Sequence, residues 1–137
     1  MGVILDSSIL VAFERQRFDL ERLLADHSPP AIAAVTAAEL LIGVERADTP
    51  ERRTRRSTFV ENIFVLIPII PFEIAQARLF ATRFAELTVR GETIGDRDLQ
   101  IAVTALSLDY DLATLNVREF QRVTGLKLVD TSGYMLS

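Results

Sequence analysis

The stretch GVILDSSILVAF, residues 2–13, decides the fold class, because an apolar run stops at a carboxylate and a helical pattern follows it. The uninterrupted apolar run predicts a short buried strand over 2–6 and a helix over 8–15. Asp6 ends that strand, and ligands of open α/β sheets bind at the carboxyl ends of strands. Taken alone, Asp6 is better explained as a cap of the following helix. It becomes a functional candidate only if other carboxylates join it.

The rest of the chain alternates in the same way. Thr49-Pro50 has the order expected of an N-cap followed by a first-turn proline, and Thr36 is the expected N-cap of its helix. Further strands are predicted over 31–35, 65–70, 112–115 and 126–130, and helices over 18–27, 36–47, 50–63, 72–90, within 93–106 and over 117–122. This alternation implies a three-layer α/β domain with a short, mostly parallel central sheet flanked by helices. Residues 1–137 show no composition break and are predicted to form a single domain.

The composition narrows the classes of function. A net charge of −4 and a pI of about 5.0 argue against broad electrostatic capture of nucleic acid. Fourteen of the fifteen cationic residues are nevertheless arginine, the better phosphate ligand, so the net charge does not exclude a local basic groove. The apolar fraction of 49% supplies a core and leaves a surplus for a partner surface. No spanning helix or signal peptide is recognisable, so a cytoplasmic location without membrane association is expected.

Two more carboxylates occupy apolar helix faces. Glu39 lies in VTAAELLIGV, with apolar residues on nearly every side. Positions three, four and seven after Asp98 are all apolar, namely Ile101, Ala102 and Ala105. A helix therefore places Asp98 on its apolar stripe, where a charge costs free energy unless something pairs with it. For either residue taken singly, a functional role and a partly exposed surface position are equally good explanations.

Two other titratable residues are explained without chemistry. Asp96 follows Gly95 at the start of a helical pattern and is expected to be an N-cap, so it serves as an internal control for Asp98. His27, the only histidine, lies beside a predicted loop and is expected at the surface. Because the chain has no cysteine, zinc sites that use cysteine and Cys–His catalytic pairs are excluded. The remaining candidates for catalysis or metal binding are the carboxylates.

Carboxylates that converge at strand ends form a hard-oxygen site suited to Mg²⁺ or Mn²⁺. Such an ion activates a water and stabilises charge on a phosphodiester during in-line attack. A bound cation, together with the positive end of the helix dipole, also explains how Asp98 can occupy an apolar stripe near a helix start. The residues thus predict a metal site on Asp6, Glu39 and Asp98.

Four segments in order resemble the PIN domain of VapC-type toxins and cover nearly the whole chain, namely VILDSSILVAFER, AAELLIGV, GETIGDRDLQIAVTAL and LATLNVREFQRVTGLKLV. The resemblance implies a Mg²⁺-dependent endoribonuclease that cleaves RNA, is held inactive by a VapB-type antitoxin and forms a homodimer. It also implies that Asp6, Glu39 and Asp98 are the catalytic carboxylates. The fourth position, often acidic in PIN domains, is Asn116 here, so a second metal is expected to bind weakly or only with RNA present.

The residues around the fourth position carry further expectations. Glu119 is an alternative to Asn116, although a surface position on the short helix explains Glu119 better. Thr114 and Ser7 are expected hydroxyl neighbours of the water on the metal. A basic run at the start of one helix is better explained as a solvated face than as a grip for RNA phosphates or an acidic partner segment; it consists of Arg52, Arg53, Arg55 and Arg56.

Two alternatives stay open beside the nuclease. In the first, a non-catalytic PIN-like binding module uses the acidic pocket to receive an arginine from a partner. The neutral Asn116 at the fourth position favours this alternative. In the second, a receiver-like domain or aspartyl phosphatase uses Asp6 as its acceptor. Two features argue against it: the chain has a single lysine, Lys127, and no DxD arrangement follows the first strand. If the chain is a toxin, an arginine of the antitoxin is also expected to enter the acidic cluster, because guanidinium pairs bidentately with carboxylates.

Overall fold

The computed structural model describes residues 2–137, and its elements follow the predicted alternation. The strands are β1 (Val3–Leu5), β2 (Pro30–Ala33), β3 (Ile69–Ile70) and β4 (Asp111–Ala113). The helices are α1 (Ser7–Glu14), α2 (Leu20–Asp26), α3 (Ala34–Glu45), α4 (Pro50–Leu66), α5 (Ile74–Val89), α6 (Asp96–Leu108) and α7 (Val117–Phe120). A short 3-10 helix at Ser132–Tyr134 follows.

The four strands form one parallel sheet in the order β3-β2-β1-β4, so the N-terminal strand lies inside the sheet. Leu5 is paired with Ala113 where β1 and β4 end. Asp6 and Thr114 are therefore the first residues beyond two neighbouring strand ends. The register alone brings these two side chains to the same edge of the sheet.

Alternate strand residues face opposite layers of helices, as the pleat of a strand requires. Val3 and Leu5 belong to a core with residues of α1 to α4, whereas Ile4 belongs to a second core with residues of α5, α6 and α7. These cores confirm the predicted α/β architecture, with a parallel sheet between two layers of helices.

The predicted strand over 65–70 is wrong at its start. The α4 helix continues to Leu66, and the backbone N–H of Ile67 still donates to the carbonyl of Ile63, so β3 retains only two residues. Val65 is 82% exposed and Leu66 is 76% exposed. An apolar run of this length fits a strand and a helix equally well, which explains the error.

The predicted strand over 126–130 is also wrong, because this segment forms only an isolated bridge between Leu128 and Leu112. Two backbone hydrogen bonds join the segment to Leu112. No longer ladder forms because β4 ends at Ala113 and the next residues turn into the loop before α7.

Two predicted N-caps are wrong as well. The α3 helix begins at Ala34 directly after β2, so Thr36 lies inside its first turn, fully buried and with an unpaired hydroxyl. The α6 helix begins at Asp96, with Gly95 at the N-cap and no side-chain cap bond. Asp96 therefore acts on the helix only through its charge in the first turn. Thr49 does cap α4, as predicted.

Exposed apolar side chains concentrate between the end of α4 and the start of α5, at Val65, Leu66, Ile69, Phe72 and Ile74. This segment accounts for part of the apolar surplus seen in the composition. Among residues 2–137, the helices are all too short or too polar to cross a membrane.

Candidate active site

Asp6 lies at the centre of the site because β1 delivers it to the carboxyl end of the sheet. Its backbone occupies the N-cap of α1, but its side chain makes no cap bond. The carboxylate instead points toward the end of β4, where Oδ2 accepts hydrogen bonds from the Ser8 hydroxyl at 2.7 Å and the Thr114 hydroxyl at 2.8 Å. Asp6 is only 4% exposed, so these donors compensate the loss of water.

The loop after β4 fixes the direction of both hydroxyl groups. The backbone N–H of Leu115 donates to Ser8 Oγ at 3.0 Å, and that of Asn116 donates to Thr114 Oγ1 at 3.0 Å. Each hydroxyl thus accepts from the loop and donates its own proton to Asp6. The other carboxylate oxygen, Oδ1, makes no hydrogen bond within residues 2–137 and is free for another ligand.

Glu39 brings a second carboxylate from α3. It is partly buried, and its Oε1 atom is fully buried without a hydrogen-bond partner in the part of the chain described. Burial is the main cause that raises the pKa of Glu39, and the nearby carboxylates of Asp6 and Asp98 raise it further. The guanidinium of Arg97 opposes this rise. These influences place Glu39 in the same electrostatic environment as Asp6 and Asp98.

Asp98 occupies the first turn of α6 and is also partly buried. Burial raises its pKa most, followed by the negative charges of Asp6 and Glu119. Glu119 is exposed, as the sequence suggested, but it lines the same cavity as Asp98 and raises the pKa of that residue. A residue expected to be ordinary surface therefore belongs to the acidic cluster.

Asn116 borders an open cavity of about 520 Å³ together with Asp98 and Glu119. It is the N-cap residue of α7 but makes no side-chain cap bond, so its amide remains available to a ligand. The structure thus brings Asp98, Asn116 and Glu119 to one cavity, while Asp6 is coupled to it through Asp98.

The four acidic side chains do not form a closed cage. Within residues 2–137, no three carboxylate or histidine groups are gathered closely enough to enclose a metal ion. Mg²⁺ keeps several of its waters and binds proteins through one or two carboxylates, so an open arrangement suits it better than a cage. The free Oδ1 of Asp6 and the unpaired Oε1 of Glu39 are oxygen donors of the type that Mg²⁺ and Mn²⁺ prefer.

The serine that binds Asp6 is Ser8, and the expected position of Ser7 beside a metal-bound water stays a prediction. Ser7 makes no bond to Asp6 and lines a groove of about 240 Å³ that also reaches Glu39, whereas Ser8 donates to Asp6. Thr114 donates to Asp6, and its expected contact with a metal-bound water likewise stays a prediction. The i, i+3 spacing of Asn116 and Glu119, which places both on one side of a short helix, was the available signal for Glu119.

The basic run at the start of α4 is mostly paired at the surface. Arg52 binds Asp48 at 2.8 Å, Arg53 binds Glu45, and Arg56 lies 3.8 Å from Glu14. Only Arg55 has no such partner within residues 2–137. This pattern supports the solvated-face interpretation.

Comparison with known proteins gives the same architecture. The PIN domain family matches residues 3–126. The ribonuclease VapC1 of Rickettsia felis is 35% identical over 132 residues, which are 96% of this chain and 98% of that protein. The tRNA(fMet)-specific endonuclease VapC of Shigella flexneri is 33% identical over 118 residues, covering 86% of this chain and 83% of that protein.

Solved structures of similar proteins have the same fold. The crystal structure of VapBC2 from Rickettsia felis bound to a promoter DNA fragment superposes with a TM-score of 0.83 and 27% identity, covering 94% of this chain and 98% of that one. VapBC-1 of nontypeable Haemophilus influenzae gives the same TM-score of 0.83 at 25% identity, over 95% of this chain and 98% of that one. With a PIN match over most of its length and relatives above 30% identity, the chain belongs to the VapC-type ribonucleases of the PIN-domain family.

Proposed function

We propose that this chain is a Mg²⁺-dependent endoribonuclease and the toxin of a VapBC-type pair. The observation that carries the proposal is the set of carboxylates formed by the buried Asp6 and the partly buried Glu39 and Asp98, in which Asp6 and Asp98 raise the pKa of Glu39. Like charges held together away from water destabilise a fold, so their retention is best explained by a cation that neutralises them in use. The relatives named ribonuclease and endonuclease support the reaction class.

Asp6 and Asp98 hold the metal in this proposal, directly or through water, and Glu39 completes the acidic set. When bound, Mg²⁺ supplies an activated water and stabilises negative charge on the phosphodiester. Asn116 adds a neutral oxygen to the cavity that Asp98 lines. Ser8 and Thr114 hold Asp6 in one orientation, so that Oδ1 stays free for the cation. Mn²⁺, with similar ligand preferences, is the expected substitute.

Regulation by a VapB-type antitoxin fits a groove beside Glu39. The solved relatives are VapBC complexes. In this chain the groove has an apolar floor that includes Val11, Leu40 and Phe59, and Glu39 borders it. A partner segment lying on that floor reaches the acidic cluster, where an arginine competes with the metal for the carboxylates. The same groove suits the second candidate function, a non-catalytic module that only receives a partner arginine.

Homodimer formation is the remaining part of the proposal. The exposed apolar segment from Val65 to Ile74 includes β3, which is an edge strand of the sheet. Exposed apolar surface beside an unpaired strand edge favours association with another chain. Light scattering on the purified chain tests this, and a monomer at all concentrations contradicts it.

The function is tested with purified, partner-free chain incubated with total cellular RNA and with initiator tRNA. We expect discrete new RNA ends with Mg²⁺ or Mn²⁺ and none with a chelator. Asp98→Asn serves as the inactive variant, and Asp96→Asn is its matched control two residues away, with the same loss of charge. Unchanged RNA under all conditions, combined with tight binding of an antitoxin, favours the binding module instead.

A further inference from the structure

An acidic protein that binds RNA needs local cations, because the backbone of RNA carries one negative charge per phosphate. The site itself is dominated by carboxylates, and the net charge of the chain is −4. Among the described residues, Arg118 is the arginine that lines the cavity of Asp98 and Asn116, and it lines a second cavity as well. One is the acidic cavity of about 520 Å³ with Asp98 and Asn116. The other is a neighbouring cavity of about 510 Å³ on the adjoining surface.

The second cavity is basic. It is lined by three arginines, one carboxylate and two neutral polar side chains, namely Arg90, Arg118, Arg122, Glu92, Gln121 and Thr124. The three guanidinium groups against one carboxylate leave an excess of positive charge, in contrast to the chain as a whole. The amide and hydroxyl groups are further donors of the type that contact phosphate and sugar oxygens.

Two of these arginines are already fixed in place. Arg90 donates from Nε to Glu92 at 2.7 Å and from Nη1 to the Thr124 hydroxyl at 3.3 Å. Arg122 donates from Nη1 to the carbonyl of Thr93 at 2.6 Å. Side chains held in one geometry lose less conformational entropy when a ligand binds.

Arg118, which is exposed, differs from both because it makes no hydrogen bond or ion pair within residues 2–137. Arg118 lies between an acidic cavity and a basic one. Because it has no partner within residues 2–137, the structure shows no contact through which it stabilises the fold. Its position suits contact with a chain of phosphates that passes from one cavity to the other.

We propose that the RNA strand runs from the acidic cavity over Arg118 into the basic cavity formed with Arg90 and Arg122, where phosphates flanking the cleaved bond are bound. This inference rests on the proposed ribonuclease function. Binding through phosphates is independent of base sequence, so the basic cavity contributes affinity and register, and specificity comes from elsewhere.

The test uses Arg118→Ala and Gln121→Glu, with Arg55→Ala as the matched control. Arg118 and Gln121 make no side-chain hydrogen bond within residues 2–137, so neither substitution removes a contact that holds the fold. Arg55 is an exposed, unpaired arginine on α4 that borders neither cavity, and its loss changes the net charge by the same amount.

Binding of a short single-stranded RNA is measured without divalent metal, in a background of Asp98→Asn. We expect Arg118→Ala and Gln121→Glu to weaken binding roughly ten-fold at low salt, because charge-assisted contacts to phosphate are among the stronger hydrogen bonds. Arg118→Ala also lowers the slope of log Kd against log salt by about 0.7, the value for one phosphate contact on a single strand. Arg55→Ala leaves both quantities close to those of the parent.

Cleavage by the metal-loaded chain separates this inference from the proposed function. If the parent cuts RNA and Arg118→Ala raises KM with kcat unchanged, the path is supported. If the parent cuts RNA but Arg118→Ala or Gln121→Glu binds it normally, or Arg55→Ala loses as much affinity, the path is wrong and the nuclease assignment stands. Loss of binding to a polyglutamate peptide with unchanged RNA binding assigns the surface to an acidic protein partner and overturns the proposal. A parent that never cuts or binds RNA overturns both proposals.

Discussion

The acidic cluster around Asp6 and the basic start of α4 are both groups of like charge, but the fold treats them differently. In α4, the exposed Arg52 and Arg53 are paired with the exposed carboxylates of Asp48 and Glu45. In the acidic cluster, the carboxylates of Glu39 and Asp98 are partly buried, and the pKa of each is raised by burial and by neighbouring carboxylates. Exposed charged side chains that are paired form a solvated face. Carboxylates that are partly buried beside other carboxylates indicate instead a bound cation that the chain itself does not supply.

The energies of the two regions differ accordingly. Exposed ion pairs contribute about 0.2–1 kcal/mol each and are screened by salt. The acidic cluster opposes folding in the absence of a cation, so its geometry is maintained by the sheet register and by the hydroxyl groups that bind Asp6. Substitutions in the two regions therefore have effects of different size and different kind.

The largest expected effect is the loss of RNA cleavage in Asp98→Asn. Removing this charge weakens metal binding, and loss of a single electrostatic group at a reaction centre costs about 100- to 1,000-fold in rate. Rates of cleavage of a defined RNA with Mg²⁺ measure it, beside growth of cells that express the variant. Asp96→Asn, in the same helical turn but exposed, retains most of the rate. Equal loss in both variants is the result that contradicts the distinction between these aspartates.

A smaller effect is expected for Thr114→Val, which keeps the shape of a fully buried side chain but removes its hydroxyl. Asp6 loses one donor and the Asn116 N–H loses its acceptor, at a cost of about 1–3 kcal/mol in the free energy of unfolding. We expect weaker Mn²⁺ binding and roughly ten-fold slower cleavage, because Asp6 is less firmly oriented. Thr114→Ser, which retains the hydroxyl, restores both. If Thr114→Val lowers stability but leaves Mn²⁺ affinity unchanged, Thr114 has only a structural role.

The next effect concerns stability and pH. The pKa values of Glu39 and Asp98 are raised in the fold, so their protonated forms stabilise it, and the free energy of unfolding falls as pH rises from about 4 through the raised pKa values. Metal-free Asp98→Asn escapes part of this loss and is expected to melt a few °C above the parent at pH 7. The exposed Asp48 and Asp130, whose pKa values are lowered, are present in both proteins and do not affect the difference.

Thermal unfolding across pH 3 to 8, with and without Mg²⁺, measures this difference. The advantage of the variant disappears near pH 3, where Asp98 is protonated, and it shrinks when Mg²⁺ stabilises the parent by binding to its folded state. If the metal-free parent is as stable as Asp98→Asn at pH 7, the carboxylates do not repel one another in the fold, and the electrostatic argument for a cation site is wrong.

The smallest effect is expected in the other region. Arg52→Ala removes an exposed pair with Asp48 and should change the free energy of unfolding by no more than about 1 kcal/mol, and less at high salt. Cleavage and RNA binding should not change. A clear loss of RNA affinity in this variant would show that the start of α4 grips phosphates, contrary to the solvated-face interpretation.

Much of the fold was predictable because it depends on local patterns. The apolar run before Asp6 predicted β1, and Thr49-Pro50 predicted the start of α4. The errors fall where local patterns are ambiguous. Val65 and Leu66 fit a strand by composition but continue a helix, and Asp96 has the sequence context of a cap although Gly95 occupies that position.

The sequence by itself determined the α/β class, and it selected three carboxylates as site candidates, Asp6, Glu39 and Asp98, since each interrupts an apolar pattern within its own segment. Only the tertiary structure decided that Ser8 binds Asp6, that Glu119 shares a cavity with Asp98, and that Arg118 has no ion-pair partner among residues 2–137. The physical reason is distance along the chain. The Thr114–Asp6 bond joins residues 108 positions apart, and such a contact is set by sheet register, on which the local sequence carries no information.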